Sequence, residues 1–258
     1  MRAPGPVVHA AFELLAYVTG FALSRRAWAR EKRGFAANPS SGWIAVAAIL
    51  GAALGSKLLF LLQFPDFTFA RFPSAEALLG GKTIVGGLLG GLAGVEIAKL
   101  RLRVADSTGD LFTVPVIGGL VVGRLGCLAA GLVDETFGLP TRLPWGWDFG
   151  DGVPRHPTPL YEIAFLLAFL AALRFLAPRL THAGDTFRIF MAAYLAFRVA
   201  VDFLKPPFGP VASAAEAALP RARLFEGLTA IQIAAVGGVL YDAAVFLRRS
   251  LRRPAEPA

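Results

Sequence analysis

The sequence is short of the residues that staple, ligate and solvate ordinary soluble domains. It holds one cysteine, Cys127, and three histidines, His9, His156 and His182. A single cysteine excludes an internal disulfide framework, and the three histidines stand at no metal-ligand spacing along the chain. Charge is also scarce, at 17% of residues, where soluble domains carry about 25%. Hydrophobic residues make up 55% and the mean hydropathy is +0.58. One water-facing fold cannot bury that much apolar surface, so the excess faces lipid. The net charge of +8 raises nucleic acid as a partner, but the cations lie in short stretches between apolar runs. An anionic lipid surface suits that pattern better. No soluble domain is evident, and no repeat suggests the inverted halves of a transporter.

What is present is a series of apolar runs: Val7–Leu23, Trp43–Phe64, Thr83–Leu100, Leu111–Val133, Pro159–Leu176, Asp185–Leu204 and Leu228–Leu247. A run of about 20 apolar residues crosses a bilayer, and lipid offers no partner to a bare peptide group, so each is expected as a helix. The intervening stretches give the orientation. Fifteen Lys and Arg, including Arg25, Arg26, Arg30, Lys32 and Arg33, fall on one side, against eight on the other. The richer side is cytoplasmic by the positive-inside rule. The N-terminus is then outside and the C-terminus inside, which needs an odd number of crossings. The expectation is an all-α polytopic membrane protein of about seven transmembrane helices. It forms a single transmembrane domain, 1–258, with outer loops near 134–158 and 205–227. A cleaved signal peptide is disfavoured for the first run, because the positive cluster follows it and no small-residue cleavage site is present.

Three cations remain inside the runs: Lys57, Arg124 and Arg198. Acids inside or near them are Glu13, Glu96, Glu162, Asp202 and Asp242. A charge at mid-membrane costs at least about 2.5–3.5 kcal/mol, so these groups face protein, water or a polar ligand. Internal ion pairs holding the bundle together are one reading. Tyr194, Arg198 and Asp202 recur every four residues and share one helix face. That stripe is either a surface salt bridge with a snorkelling arginine or one wall of a polar cavity. Arg124 lies between Gly123 and Gly126, whose lack of bulk admits a ligand or another backbone. Guanidinium is a planar, two-pronged donor that suits phosphate, and two of them can bracket a phospholipid headgroup.

Gly86, Gly90 and Gly94 form one small-residue face and Gly87 with Gly91 another. Close helix packing explains such faces; Gly86–Gly87 lying open beneath a lipid headgroup is the alternative. The stretch 134–158 carries Trp145 and Trp147, which fit an interface belt. His156 stands near its end, just before the fifth run, with Tyr161 and Glu162 one turn on, and is a candidate proton acceptor.

Four segments together resemble the prolipoprotein diacylglyceryl transferase family. Gly123-Arg124-Leu125-Gly126 is similar to the start of its G-R-x-G-N-F signature, and Arg155-His156-Pro157 through Leu160-Tyr161-Glu162 to its R-H-P-S-Q-L-Y-E segment. Tyr194 and Arg198 followed by Asp202 resemble its Y-x-x-x-R run, and Gly86-Gly87-Leu88 stands in the place of its H-G-G-L motif. The resemblance spans nearly the whole chain. It implies a multi-pass enzyme of the bacterial inner membrane. Such an enzyme moves the diacylglyceryl group of phosphatidylglycerol onto a lipobox cysteine thiol in a prolipoprotein signal segment, or onto a related acceptor. Its two essential arginines match Arg124 and Arg198, and its tyrosine matches Tyr194. An acid and a glycine match Glu135 and Gly138 if about three residues are inserted in the loop. Phosphatidylglycerol and the prolipoprotein are the partners implied, nucleic acid is not, and neither metal nor cofactor is implied.

The departures from the pattern bear on the chemistry. The histidine before Gly-Gly is Val85 here, the asparagine of the signature is Cys127, and a first-helix tyrosine aligns with Glu13. With the usual proton acceptor missing, His156, Glu135 and Glu13 are the replacement candidates. The alternative function is a lipid-binding or lipid-transport membrane protein that keeps the fold with altered catalysis.

Overall fold

The computed structural model describes residues 5–31, 38–65, 81–134, 136–206, 223–225 and 227–251. Among them are seven helices of 18 residues or more: α1 Gly5–Arg30, α2 Ser40–Gln63, α3 Ile84–Leu102, α4 Gly109–Ala130, α5 Thr158–Leu176, α6 Asp185–Asp202 and α7 Ala230–Leu251. Each covers one of the apolar runs. Five contain segments long and apolar enough to cross a membrane. The other two are α3, with Glu96, Lys99 and Arg101, and α6, with Asp185, Arg188, Arg198 and Asp202. Large apolar side chains stand outward on the helices, among them Ile49 at 69%, Leu54 at 64% and Leu240 at 64% exposure. Water does not tolerate such surfaces at this extent, whereas lipid requires them. The chain is an all-α polytopic membrane protein.

One boundary moves appreciably. The first run was expected to end at Leu23, but α1 continues to Arg30. Alanine and arginine favour helix once nucleated, so Arg25, Arg26 and Arg30 lie on the helix rather than in a loop. Most of the expected outer loop near 205–227 lies outside the described residues.

Two seams set the arrangement. Along the first, α2 and α3 approach backbone to backbone. A Cβ on Gly90 or Gly94 would overlap the carbonyl of Gly51 or Ala47, and one on Gly86 would lie 2.8 Å from Leu59 Cβ. The Gly86 face is thus occupied by α2. A Cβ on Gly87 would meet only ordinary contacts, 3.7 Å to Ala52 O and Ser56 Cβ. Above the seam Ser56 Oγ donates to Thr83 O at 2.8 Å and accepts from Thr83 N at 2.9 Å. Along the second seam α1 lies on α4. Phe12 fills the space left by Gly126, and Ala16 meets Gly119 and Gly123. The room around Arg124 that the glycines implied is therefore taken by α1.

The core joins α3 to α7 through residues such as Val85, Ile117, Leu166, Phe190, Tyr194, Leu195 and Ala235, all 1% exposed or less. Among the described residues four short strands complete the fold. β1 Trp147–Asp148 pairs antiparallel with β2 Pro154–Arg155, and β3 Arg223–Phe225 with β4 Leu228–Thr229.

Candidate functional site

The position of the site follows from how α4 and α6 are tied. Near the start of α4, Asp110 accepts from Gly184 N at 2.6 Å and Phe187 N at 3.2 Å, capping the start of α6. A carboxylate there satisfies donors the helix leaves bare and complements its dipole. The two helices run the same way from this anchor. Arg124 stands fourteen residues beyond Asp110, and Arg198 fourteen beyond Gly184. Equal rise, about 21 Å at 1.5 Å per residue, brings both guanidinium groups to one level.

There they meet the buried carboxylate of Glu162, one turn into α5. Arg124 Nε lies 2.8 Å from Glu162 Oε1, and Arg198 Nη1 donates to Glu162 Oε2 at 2.9 Å. Tyr194 Oη donates to Glu162 Oε1 at 2.7 Å. Arg198 Nη2 is 3.9 Å from Asp202 Oδ1, whose other oxygen accepts from Thr229 Oγ1 at 2.8 Å. Arg124, Arg198, Glu162 and Asp202 are all 6% exposed or less. Two cations face two anions, which is how an apolar medium tolerates any of them. The Tyr194–Arg198–Asp202 stripe is thus a buried wall and not a snorkelling surface bridge. The pairing is incomplete, however: among the described residues Arg198 Nε has no hydrogen-bond partner.

A second polar group adjoins the first. Arg124 Nη1 donates to Cys127 Sγ at 3.5 Å. Beside Cys127 stand His9 of α1 and Asp134 of the 3-10 turn Gly131–Asp134, with His9 Nδ1 2.5 Å from Asp134 Oδ1. Among the described residues, these three bring their metal-ligating atoms within 4.8 Å of one another.

The remaining expected residues fall at varying distances from the pair. His156 contacts Tyr161, Nδ1 to Oη at 3.0 Å, and Trp145 Nε1 donates to the same hydroxyl at 2.9 Å. Those contacts make His156 part of an aromatic clasp at the head of α5. Gly138 N donates to His156 O at 2.8 Å, and a Cβ at Gly138 would lie 2.6 Å from His156 Cβ. Glycine is needed for that close passage. Glu13 is held by Lys82 and by Tyr17, whose hydroxyl donates to it at 2.7 Å. Glu135 lies outside the described residues. Val85 is 1% exposed within the hydrophobic core.

Outside the spans, Asp148 Oδ1 accepts from the backbone N–H of Gly150, Asp151 and Gly152 at 2.8–3.0 Å. Those donors, Gly150 first, hold its carboxyl below the usual aspartate range. Asp151 is lowered chiefly by Arg155, which donates to both its oxygens at 2.6 and 2.7 Å. Arg155 also stacks 5.1 Å above the Phe137 ring.

Sequence reasoning named both arginines, Tyr194 and the acids near them. It did not find that Glu162 is the shared bridge, nor the cap at Asp110. The six-residue offset from His156 hid the first, and Asp110 reads as an ordinary polar helix start.

Comparison with known proteins places the chain in a family. A profile of the prolipoprotein diacylglyceryl transferase family matches residues 7–248. A phosphatidylglycerol–prolipoprotein diacylglyceryl transferase from Nitratidesulfovibrio vulgaris is 34% identical over 212 residues, covering 75% of this chain and 74% of that protein. The enzyme of the same name from Vibrio vulnificus is 33% identical over 208 residues, covering 75% and 73%. That from Bordetella parapertussis is 33% identical over 167 residues, 62% of this chain and 63% of that protein. No solved structure matches. With the family profile spanning nearly every described helix, the chain belongs to the prolipoprotein diacylglyceryl transferase family.

Proposed function

We propose that this protein transfers the diacylglyceryl group of phosphatidylglycerol to the cysteine thiol of a prolipoprotein lipobox, or a closely related acceptor. It would do so as a seven-span protein of the bacterial inner membrane, N-terminus outside. The observation that carries this reading is the convergence of Arg124 and Arg198 on one carboxylate at one level. A phosphate diester is also an anion with two accepting oxygens, and it competes with Glu162 for the same guanidinium edges. Arg198 Nε, still without a partner, is available to it. As the carbon–oxygen bond breaks, charge gathers on the departing phosphate, and fixed guanidinium groups in a water-poor site stabilise it without reorganising. Glu162 and Tyr194 position the two arginines. The thiol sulfur attacks the glyceryl carbon next to the phosphate, and glycerol phosphate leaves. Chain 1–258 then acts as one transmembrane domain. Gly138 and His156 lie in the outer loop that borders it, with Tyr161 in the first turn of α5, while Gly86 and Gly87 hold α3 to α2.

The test is direct. Purified protein is incubated with labelled phosphatidylglycerol and a lipobox peptide, and both products are followed by mass. A peptide heavier by the diacylglyceryl group, with stoichiometric glycerol phosphate, is expected. Headgroup binding that depends on both arginines but releases no glycerol phosphate would favour the lipid-binding alternative, for which Val85 and Cys127 are the supporting features.

A further inference from the structure

The position at which the family resemblance implies the group that takes the thiol proton is Val85 here, buried among apolar side chains. Its absence directs attention to what lies beside Arg124. His9, Cys127 and Asp134 come from three separate elements, α1, α4 and the 3-10 turn after it. One ligand atom of each lies within 4.8 Å of the other two. Around a tetrahedral zinc ion, with bonds of about 2.0–2.3 Å, donors sit roughly 3.3–3.5 Å apart. Small side-chain movements, including opening of the 2.5 Å His9–Asp134 contact, reach that arrangement.

We propose that His9, Cys127 and Asp134 form a zinc site that activates the acceptor thiol. This inference rests on the transfer reaction proposed above. Four observations support it. One nitrogen, one sulfur and one carboxylate oxygen make a donor set suited to zinc rather than to magnesium or calcium. Three protein ligands leave a fourth position open, the pattern of a catalytic site rather than a structural one. Asp134 has an outer partner: Thr136 Oγ1 donates to its Oδ2 at 2.7 Å, leaving Oδ1 turned towards His9. Such support orients ligating carboxylates. Finally, Arg124 Nη1 reaches Cys127 Sγ, so the open position adjoins the guanidinium assigned to the phosphate.

The chemistry closes the gap left by Val85. A free thiol ionises near pH 8.5, whereas a thiol bound to zinc loses its proton outright. The acceptor cysteine takes the fourth position and releases its proton to water. The thiolate sulfur then forms a bond to the glyceryl carbon, the carbon–oxygen bond breaks, and its electron pair leaves on the phosphate. The products are a thioether and glycerol phosphate, whose extra charge matches the proton given up. No oxidant or reductant is required.

The test measures metal first and turnover second. The full chain in detergent is stripped of metal, loaded with zinc or with cobalt as a spectroscopic stand-in, and desalted. About one ion per chain is expected, with a sulfur-to-cobalt absorption band. Cys127→Asn restores the residue of the family signature and is expected to fold while losing the band. Zinc retained after desalting should fall at least about tenfold in Cys127→Asn and His9→Ala, and stay full in His182→Ala. Protein that retains no zinc, or full zinc in both ligand variants, overturns the proposal. Undiminished transfer by zinc-free protein also overturns it, and leaves the transferase reading standing. Zinc bound as expected in protein that lipidates no peptide refutes the transferase reading and the thiol-activating role that rests on it, whereas the outcomes above refute the zinc site alone.

Discussion

Helix α6 carries an arginine near each end, and the two are treated differently. Among the described residues Arg188 pairs with Asp242 Oδ1 at 3.3 Å, a Tyr241 ring lies 5.7 Å away, and Asp242 Oδ2 has no hydrogen-bond partner. Arg198, ten residues on, shares Glu162 with Arg124, has Asp202 beyond it, and keeps one nitrogen without a partner. A pair that only ties two helices together needs one acid for one base, and the Arg188 end is that pair. At the other end two planar donors are trained on one anion site, an arrangement that costs desolvation twice over and gains little stability for it. The contrast separates a staple from a binding site on the same helix.

The comparison can be broken in four places. Glu162→Gln should do the most damage, because it leaves two buried cations facing each other. A loss of about 3–5 kcal/mol in unfolding free energy is expected, read by thermal unfolding in detergent. Asp242→Asn, which strands one arginine, should cost less. If the two variants are equally stable, the shared bridge is no special feature. Next comes Arg198→Lys, which keeps the charge and loses the fork. Its transfer rate should fall on the order of 10²–10³-fold, while Arg188→Lys transfers like the parent protein.

Tyr194→Phe removes a hydroxyl bonded to a carboxylate and should cost about 1.5–3 kcal/mol. Tyr241→Phe, which keeps the ring beside Arg188, should cost nearly nothing by the same unfolding assay. The smallest effect belongs to the exposed pair Asp151–Arg155. Its folded carboxyl is lowered by the arginine, so its contribution is present above the ordinary aspartate pKa of about 3.9 and lost as pH falls through the lowered value. Fluorescence of nearby Trp145 and Trp147 should stay flat from neutral pH to that region and change only below it. Asp151→Asn should abolish the change.

The seven apolar runs and both arginines were legible in the sequence because lipid punishes exposed peptide and charge so heavily that each leaves a one-dimensional mark. Arg124, Tyr194 and Arg198 stood out for that reason. Partners were harder to read. Glu162 sits in a segment whose histidine drew notice first, and nothing in the spacing says that α5 brings its acid between two other helices. Gly51 and Gly55 were hidden in an alanine-rich run, although they are half of the seam that occupies Gly86 and Gly90. His9, Cys127 and Asp134 showed no ligand spacing because three elements deliver them. What the chain encodes by contact across helices cannot be seen as periodicity along one of them.

Complementation bears most directly on the two-arginine site. Cells depleted of their own diacylglyceryl transferase would express either the parent protein or Arg198→Lys at matched membrane levels, and lipidated lipoprotein would be measured by mass. The parent is expected to restore the diacylglyceryl thioether and the lysine variant to restore almost none. Equal lipidation by both, or none by the parent, would contradict a forked phosphate grip at Arg124 and Arg198.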